Sequence, residues 1–169
     1  MATDMFLNLD KIDDDTHKIL GESEDFKHPN EIEISGWSTS FEQPAAQAKT
    51  ATGPSVERCK PEPIAVNKIM DKATPMLLKR IWSGQIIPEG LITCYRADEQ
   101  GKPVLYLTIT MKHILVTTYS LSGAEGDLPQ EEVGLSCGYM QFDYNQQKKI
   151  GGAEGVSPAS VNWISGEIS

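Results

Sequence analysis

Val104-Leu105-Tyr106-Leu107-Thr108-Ile109-Thr110-Met111-Lys112 decides the architecture. Leu105, Leu107, Ile109 and Met111 alternate with Tyr106, Thr108, Thr110 and Lys112, and a period of two places the two sets on opposite faces of a β-strand. The run extends as strand-forming sequence to Ser120 and is flanked by similar runs over Ile86 to Ala97, Val133 to Gln146 and Val161 to Ile168. Turn-forming stretches separate them, among them Asp98-Glu99-Gln100-Gly101 and Gly123 to Asp127.

Towards the N-terminus, Met5, Leu7 and Leu9 alternate with Phe6, Asn8 and Asp10, again as a half-buried strand, and residues 10 to 30 read as a polar loop. Ile32 and Ile34 share one parity, whereas beyond Gly36 the apolar set is Trp37, Thr39 and Phe41; a parity change at a glycine predicts a β-bulge that bends the strand. Glu42 to Lys60 offers almost nothing to bury and reads as a long interaction arm. Ile64 to Met70 is a short strand. Thr74-Pro75 predicts an N-cap followed by proline in the first helical turn, with Gly84 as the C-terminal cap. Between them Leu77, Leu78, Ile81 and Trp82 form one apolar stripe, expected to pack on a sheet. Seven strand-like segments and one short helix make a mostly antiparallel β-barrel or sandwich, expected as a single domain over residues 1–169.

Composition excludes several function classes. The 169 residues carry 24 acidic against 15 basic side chains, a net charge of −9. Residues 1–60, 61–120 and 121–169 contribute −6, +2 and −5, so both ends are acidic around a near-neutral middle. That balance argues against nucleic acid and anionic membranes, which draw on clustered Lys and Arg. No apolar run approaches the roughly 18 residues of a membrane span, and Asp4 stands where a signal peptide would be basic. Cys59, Cys94 and Cys137 are an odd set without C-x-x-C spacing, which fits folding in a reducing compartment rather than a disulfide framework.

No chemical motif survives its context. Gly134-Leu135-Ser136-Cys137-Gly138 matches G-x-S-x-G, but strand-like sequence follows where the nucleophile elbow needs a helix. Asp13-Asp14-Asp15 begins like a calcium loop, yet His17 and Lys18 occupy positions five and six, where a ligand and a glycine are required. His17, His28 and His113 show no metal-ligand spacing, and His113 reads as a hydrogen-bonded strand residue. Neither catalytic nor metal nor cofactor residues are assigned, and association is the chemistry left.

Five blocks in order resemble the haemolysin-coregulated protein (Hcp) family, the tube protein of bacterial type VI secretion. They are Asp4-Met5-Phe6-Leu7; Gly21-Glu22-Ser23-x-Asp25 with His28 and Glu31-Ile32-x-Ile34-x-x-Trp37-Ser38; Asp71-Lys72-Ala73-Thr74-Pro75-x-Leu77; Asp143-Tyr144-x-x-Gln147; and Trp163. The segment Lys11 to Leu20 is longer than the family's usual first loop, and no added C-terminal toxin domain is expected. The resemblance implies a non-enzymatic β-barrel protomer, six of which close into a ring. Rings stack into a tube inside a contractile sheath, capped by a trimeric spike protein (VgrG-type) and expelled with effectors, so the protein is secreted without a signal peptide after assembly in the bacterial cytoplasm.

Within that reading, structural roles fall to Trp37, Asp71, Thr74, Pro75, Tyr144, Gln147 and Trp163. The small, polar arm residues Gln43, Pro44, Ala45, Ala46, Gln47, Ala48, Lys49 and Thr50 are candidates for ring stacking, since they can cross to a neighbouring ring at little steric cost. Ser38 and Ser40, opposite Trp37 and Phe41, are candidates for a polar lumen wall facing cargo. The alternative is a monomeric β-sandwich module binding a ligand such as carbohydrate.

Overall fold

The computed structural model describes residues 4–9, 18–44, 58–147 and 153–169. The deciding stretch lies in β8 (Pro103–Ser122), which pairs antiparallel with β7 (Ile87–Ala97) on one side and β9 (Gln130–Gln147) on the other. Ile109 and Met111 face the core with no exposed surface, as their alternation predicts. Beyond Lys112 the buried positions become Ile114 and Val116, a change of parity. His113 sits at that change with a left-handed φ of 53°, which turns the strand and keeps both halves facing the core. His113 is therefore an exposed hinge of the strand, not the hydrogen-bonded strand residue expected.

β1 (Met5–Asn8) pairs with β7 on one edge and with β2 (Ile32–Glu33) on the other. β3 (Gly36–Ser38) pairs instead with β6 (Ile64–Ile69), which pairs with the first half of β9. The change of partner takes one residue: the Ile34 N–H donates to the Met5 carbonyl (3.0 Å) and the Ser35 N–H to the Asn67 carbonyl (2.8 Å). Hence the parity flip at Gly36 marks a strand passing from one partner to another, where a bulge within one pair was expected. Through this bend the ladder β1, β7, β8, β9, β6, β3 returns to β2 and closes as a barrel. Its interior holds Leu7, Ile32, Ile64, Val66, Ile92, Ile109, Met111, Val133 and Leu135.

α1 (Thr74–Ser83) packs on β8. Gly84 ends it in the left-handed conformation at φ 67°, with its N–H on the Arg80 carbonyl. Thr74 is not the N-cap: Ala73 holds that position, and Thr74 is already helical, with its hydroxyl engaged elsewhere. The helix also sits rotated from expectation. Thr74, Leu77 and Arg80 are buried, while Trp82 is 76% exposed.

Three further expectations need correction. Phe6 is as buried as Leu7, because the 18–31 segment folds over the outer face of β1. The C-terminal strand is a hairpin, β10 (Ala153–Asn162) with β11 (Glu167–Ile168), turning at 163–166; β10 lies against the second half of β9. At the foot of the arm, β4 (Phe41–Glu42) pairs with β5 (Lys60–Pro61), so the arm starts only beyond this short ladder.

Candidate functional site

Side chains that could act in association fall into three places, each held by a different part of the barrel. The first is the root of the arm. Phe41 stacks on Trp163 (ring centroids 6.3 Å apart, 11° between planes) and meets Phe142 edge-on at 6.2 Å. The Arg58 guanidinium donates to the Trp163 carbonyl at 3.4 Å. β4 and β5 are thereby anchored on β9 and the 163–166 turn, which fixes where the arm leaves the barrel. Gln43 and Pro44 are the last described residues on that path, and Ala45, Ala46, Gln47, Ala48, Lys49 and Thr50 lie outside the described residues. Tyr144 is 44% exposed on the face that also bears Phe142; the Gln147 backbone pairs with Ala153 at the end of β9. Ser38 and Ser40 are both exposed, while Trp37 packs half-buried against the core.

The second place is a buried ionic cluster beneath the start of α1. Lys68 and Glu131 have no exposed side-chain surface and form an ion pair. The Lys68 ammonium also reaches Asp71 Oδ1 at 2.9 Å and the Ile69 carbonyl at 3.0 Å. Thr74 Oγ1 donates to Glu131 Oε2 (3.0 Å) and accepts from the Asp71 N–H (3.2 Å), and Asp71 Oδ1 accepts from the Ala73 N–H (3.0 Å). Asp71 and Thr74 thus act together as the turn that starts the helix, and Pro75 follows them exposed. Burial, then the Glu131 carboxylate, pushes the Tyr119 hydroxyl well above its ordinary range. Sequence reading singled out Asp71 and Thr74 but missed Lys68 and Glu131. The alternation Ile64, Val66, Lys68 does place Lys68 on the inward face, and a lysine there demands a buried partner.

The third place is the fold of the 18–31 segment. A Cβ on Gly21 would lie 2.2 Å from the Glu31 carbonyl oxygen, so only glycine permits this close approach. The segment closes through Gly21 N–H to Asn30 O (2.8 Å) and Asn30 N–H to Ser23 O (2.9 Å). His28 stacks on Phe6 at 4.4 Å, with Nδ1 2.9 Å from Glu31 Oε2 and Nε2 2.7 Å from the Tyr95 hydroxyl. Burial first, then Asp25 and Glu31, raises the Tyr95 hydroxyl above its usual range. His28 is therefore a packed, doubly bonded latch between the segment and β7; His17 lies outside the described residues.

Lys72 joins the second and third places: its N–H donates to Glu22 Oε1 at 3.0 Å and its ammonium to Asn30 Oδ1 at 3.3 Å. At their junction opens a groove of about 420 Å³, with Ile69, Met70 and Leu128 exposed along it and Glu22 and Glu33 at its rim. Ser136, by contrast, stands mid-strand in β9, away from any strand-to-helix turn. Among the described residues no group of three or more His, Cys, Asp or Glu side chains could hold a metal ion, and no helix is long and apolar enough to cross a membrane.

Comparison with known proteins agrees with this arrangement. Residues 6–144 match the family model described as "Type VI secretion system effector, Hcp". The chain is 33% identical over 164 residues to protein hcp1 of Pseudomonas aeruginosa, covering 96% of this chain and 95% of that one. It superposes on the crystal structure of Hcp1 from Salmonella typhimurium with a TM-score of 0.78 and 27% identity, each chain covered in full. A solved type six secretion system protein shares the fold at a TM-score of 0.85 and 24% identity, over 99% of this chain and 100% of that one. A barrel closed at Ile34–Ser35, one helix seated on an ionic cluster and a sequence match spanning both make this chain a member of the Hcp family of type VI secretion.

Proposed function

We propose that this chain is a structural subunit of the type VI secretion tube, a single domain over residues 1–169 without enzymatic activity. Six copies close into a ring, and rings stack into a tube within the sheath. The tube is capped by the VgrG-type spike protein and expelled by sheath contraction with effectors carried in or on it. The protein is thus secreted in the folded state after assembly in the cytoplasm. The observation that carries this reading is the Hcp match along nearly the whole chain together with the shared fold.

The structure supports distinct surfaces for distinct contacts. A cyclic ring joins one face of each protomer to a different face of its neighbour, and stacking needs another such pair. The arm leaves from the aromatic-pinned β4–β5 ladder, a fixed root from which Gln43 to Thr50 can reach an adjacent ring. Ser38 and Ser40 provide hydroxyls on a face turned away from the core, as a wall that must release its cargo requires. Deleting Pro44 to Ala51 tests the stacking role. Hexamers should persist by native mass while tubes disappear by electron microscopy; tubes formed by the deletion variant would remove the arm from that role.

A further inference from the structure

We infer that the apolar groove beside Asp71 receives the outer end of α1 from a second copy of this chain; this rests on the ring reading above. The groove presents the exposed side chains of Ile69, Met70 and Leu128, which are 44%, 43% and 67% accessible. It shares Glu33 and Ile34 with a second trough of about 380 Å³ rimmed by Asp4, Glu24 and Asp25. Asp71 shares the Lys68 cation with Glu131, and among the described residues Glu22, Glu24 and Glu33 stand at the surface without a salt bridge. The occupant that fits is apolar and lacks carboxylates.

The end of α1 is such a surface. From Lys72 to Pro88 the chain contains no acidic residue in a protein of net charge −9, and unlike the longer acid-free run Gln100 to Ala124, which is paired strand for most of its length, this run carries an exposed tryptophan. Within that run Lys79 is exposed, Trp82 is 76% and Ile86 56% exposed, and Lys79 and Trp82 lie one helical turn apart on one face. A tryptophan left this bare is the residue type most enriched at the centre of protein interfaces. The groove borders the start of α1, whereas Trp82 and Ile86 mark its end. A ten-residue helix holds the two ends about 15 Å apart. A chain cannot fold its own Trp82 into its own groove. Such a contact runs between copies, and repeated head to tail it has the geometry a ring operator requires.

Charge exchange tests the inference. Lys79→Glu and Glu33→Lys change exposed side chains, and circular dichroism checks that each variant keeps the fold. Wild-type protein should be hexameric by native mass. Each single variant should raise the concentration at which the hexamer dissociates by at least tenfold, and the double variant Lys79→Glu/Glu33→Lys should recover most of that loss. Acrylamide quenching, compared with Trp82→Phe, should show Trp82 shielded in the hexamer and open in the monomer. Single variants that keep the wild-type midpoint, or a Trp82 quenched equally in both states, would overturn the inference while leaving the ring itself intact. A wild-type protein monomeric at every concentration would instead overturn the ring reading on which it rests.

Discussion

Replacing Lys68 by Met removes, among the described residues, the only cation that touches Glu131 in the ionic cluster under α1, while keeping an unbranched chain of similar length. Both side chains are fully buried, so the variant leaves a carboxylate in the barrel with little beyond the Thr74 hydroxyl at 3.0 Å. Breaking a buried pair from one side costs about 3–5 kcal/mol. With a urea slope of about 2 kcal/mol/M, the midpoint should fall by about 1.5–2.5 M. Lys68→Met/Glu131→Met removes both charges and should cost well under the sum of the single changes. Urea titrations followed by circular dichroism, at one fixed protein concentration, measure all of this. A Lys68→Met loss below about 1 kcal/mol, or additive single costs, would refute the claim that this cluster holds α1 to the barrel.

Gly21→Ala forces a Cβ to within 2.2 Å of the Glu31 carbonyl oxygen and 2.5 Å of Ile32 Cα, both backbone atoms that cannot swing away. Overpacking of this kind costs about 2–3 kcal/mol, a fall in Tm of roughly 5–10 °C; an unchanged melting temperature would show that the 18–31 segment is not packed as described. Alkaline pH should also destabilise the fold. Burial pushes the Cys137 thiol up to about 11 from the 9.0 of a free thiol, and Cys94, Tyr95, Tyr106 and Tyr119 are likewise raised, chiefly by burial. Each such group leaves stability unchanged below its unfolded value and takes it away as pH rises towards the folded one, so the urea midpoint should be level to about pH 8.5 and decline above pH 9. Cys137→Ala should flatten the part of that decline between pH 9 and 11, and a midpoint that climbs above pH 9 would contradict the assignment.

Much of the barrel is legible in the sequence because its long strands alternate cleanly, as in Leu107, Ile109 and Met111. What escaped is local and has identifiable causes. Ala153 to Ser160 is strand, yet its Ala, Gly, Ser and Pro composition gives no apolar alternation; it gains its order from the β9 partner. The path from β2 to β3 reads as a bulge, since a parity flip is the same whether a strand bends within one pair or passes to another partner. Helix rotation was misread because Trp82 lies on the apolar stripe in sequence and is exposed in the protomer, while Arg80 is buried with its guanidinium on Gln85 (3.1 Å). The same limit applies to the ionic cluster. Asp71 and Thr74 stood out through family resemblance, but Glu131, 57 residues beyond Thr74, is joined to it only by the fold.

Purified wild-type protein, measured by native mass and imaged by electron microscopy at micromolar concentration, tests the tube-subunit reading most directly. Six protomers of 18.6 kDa should give a closed ring of about 112 kDa with sixfold symmetry and an open centre. A species of 18.6 kDa at every concentration, with no ring in the images, would contradict it.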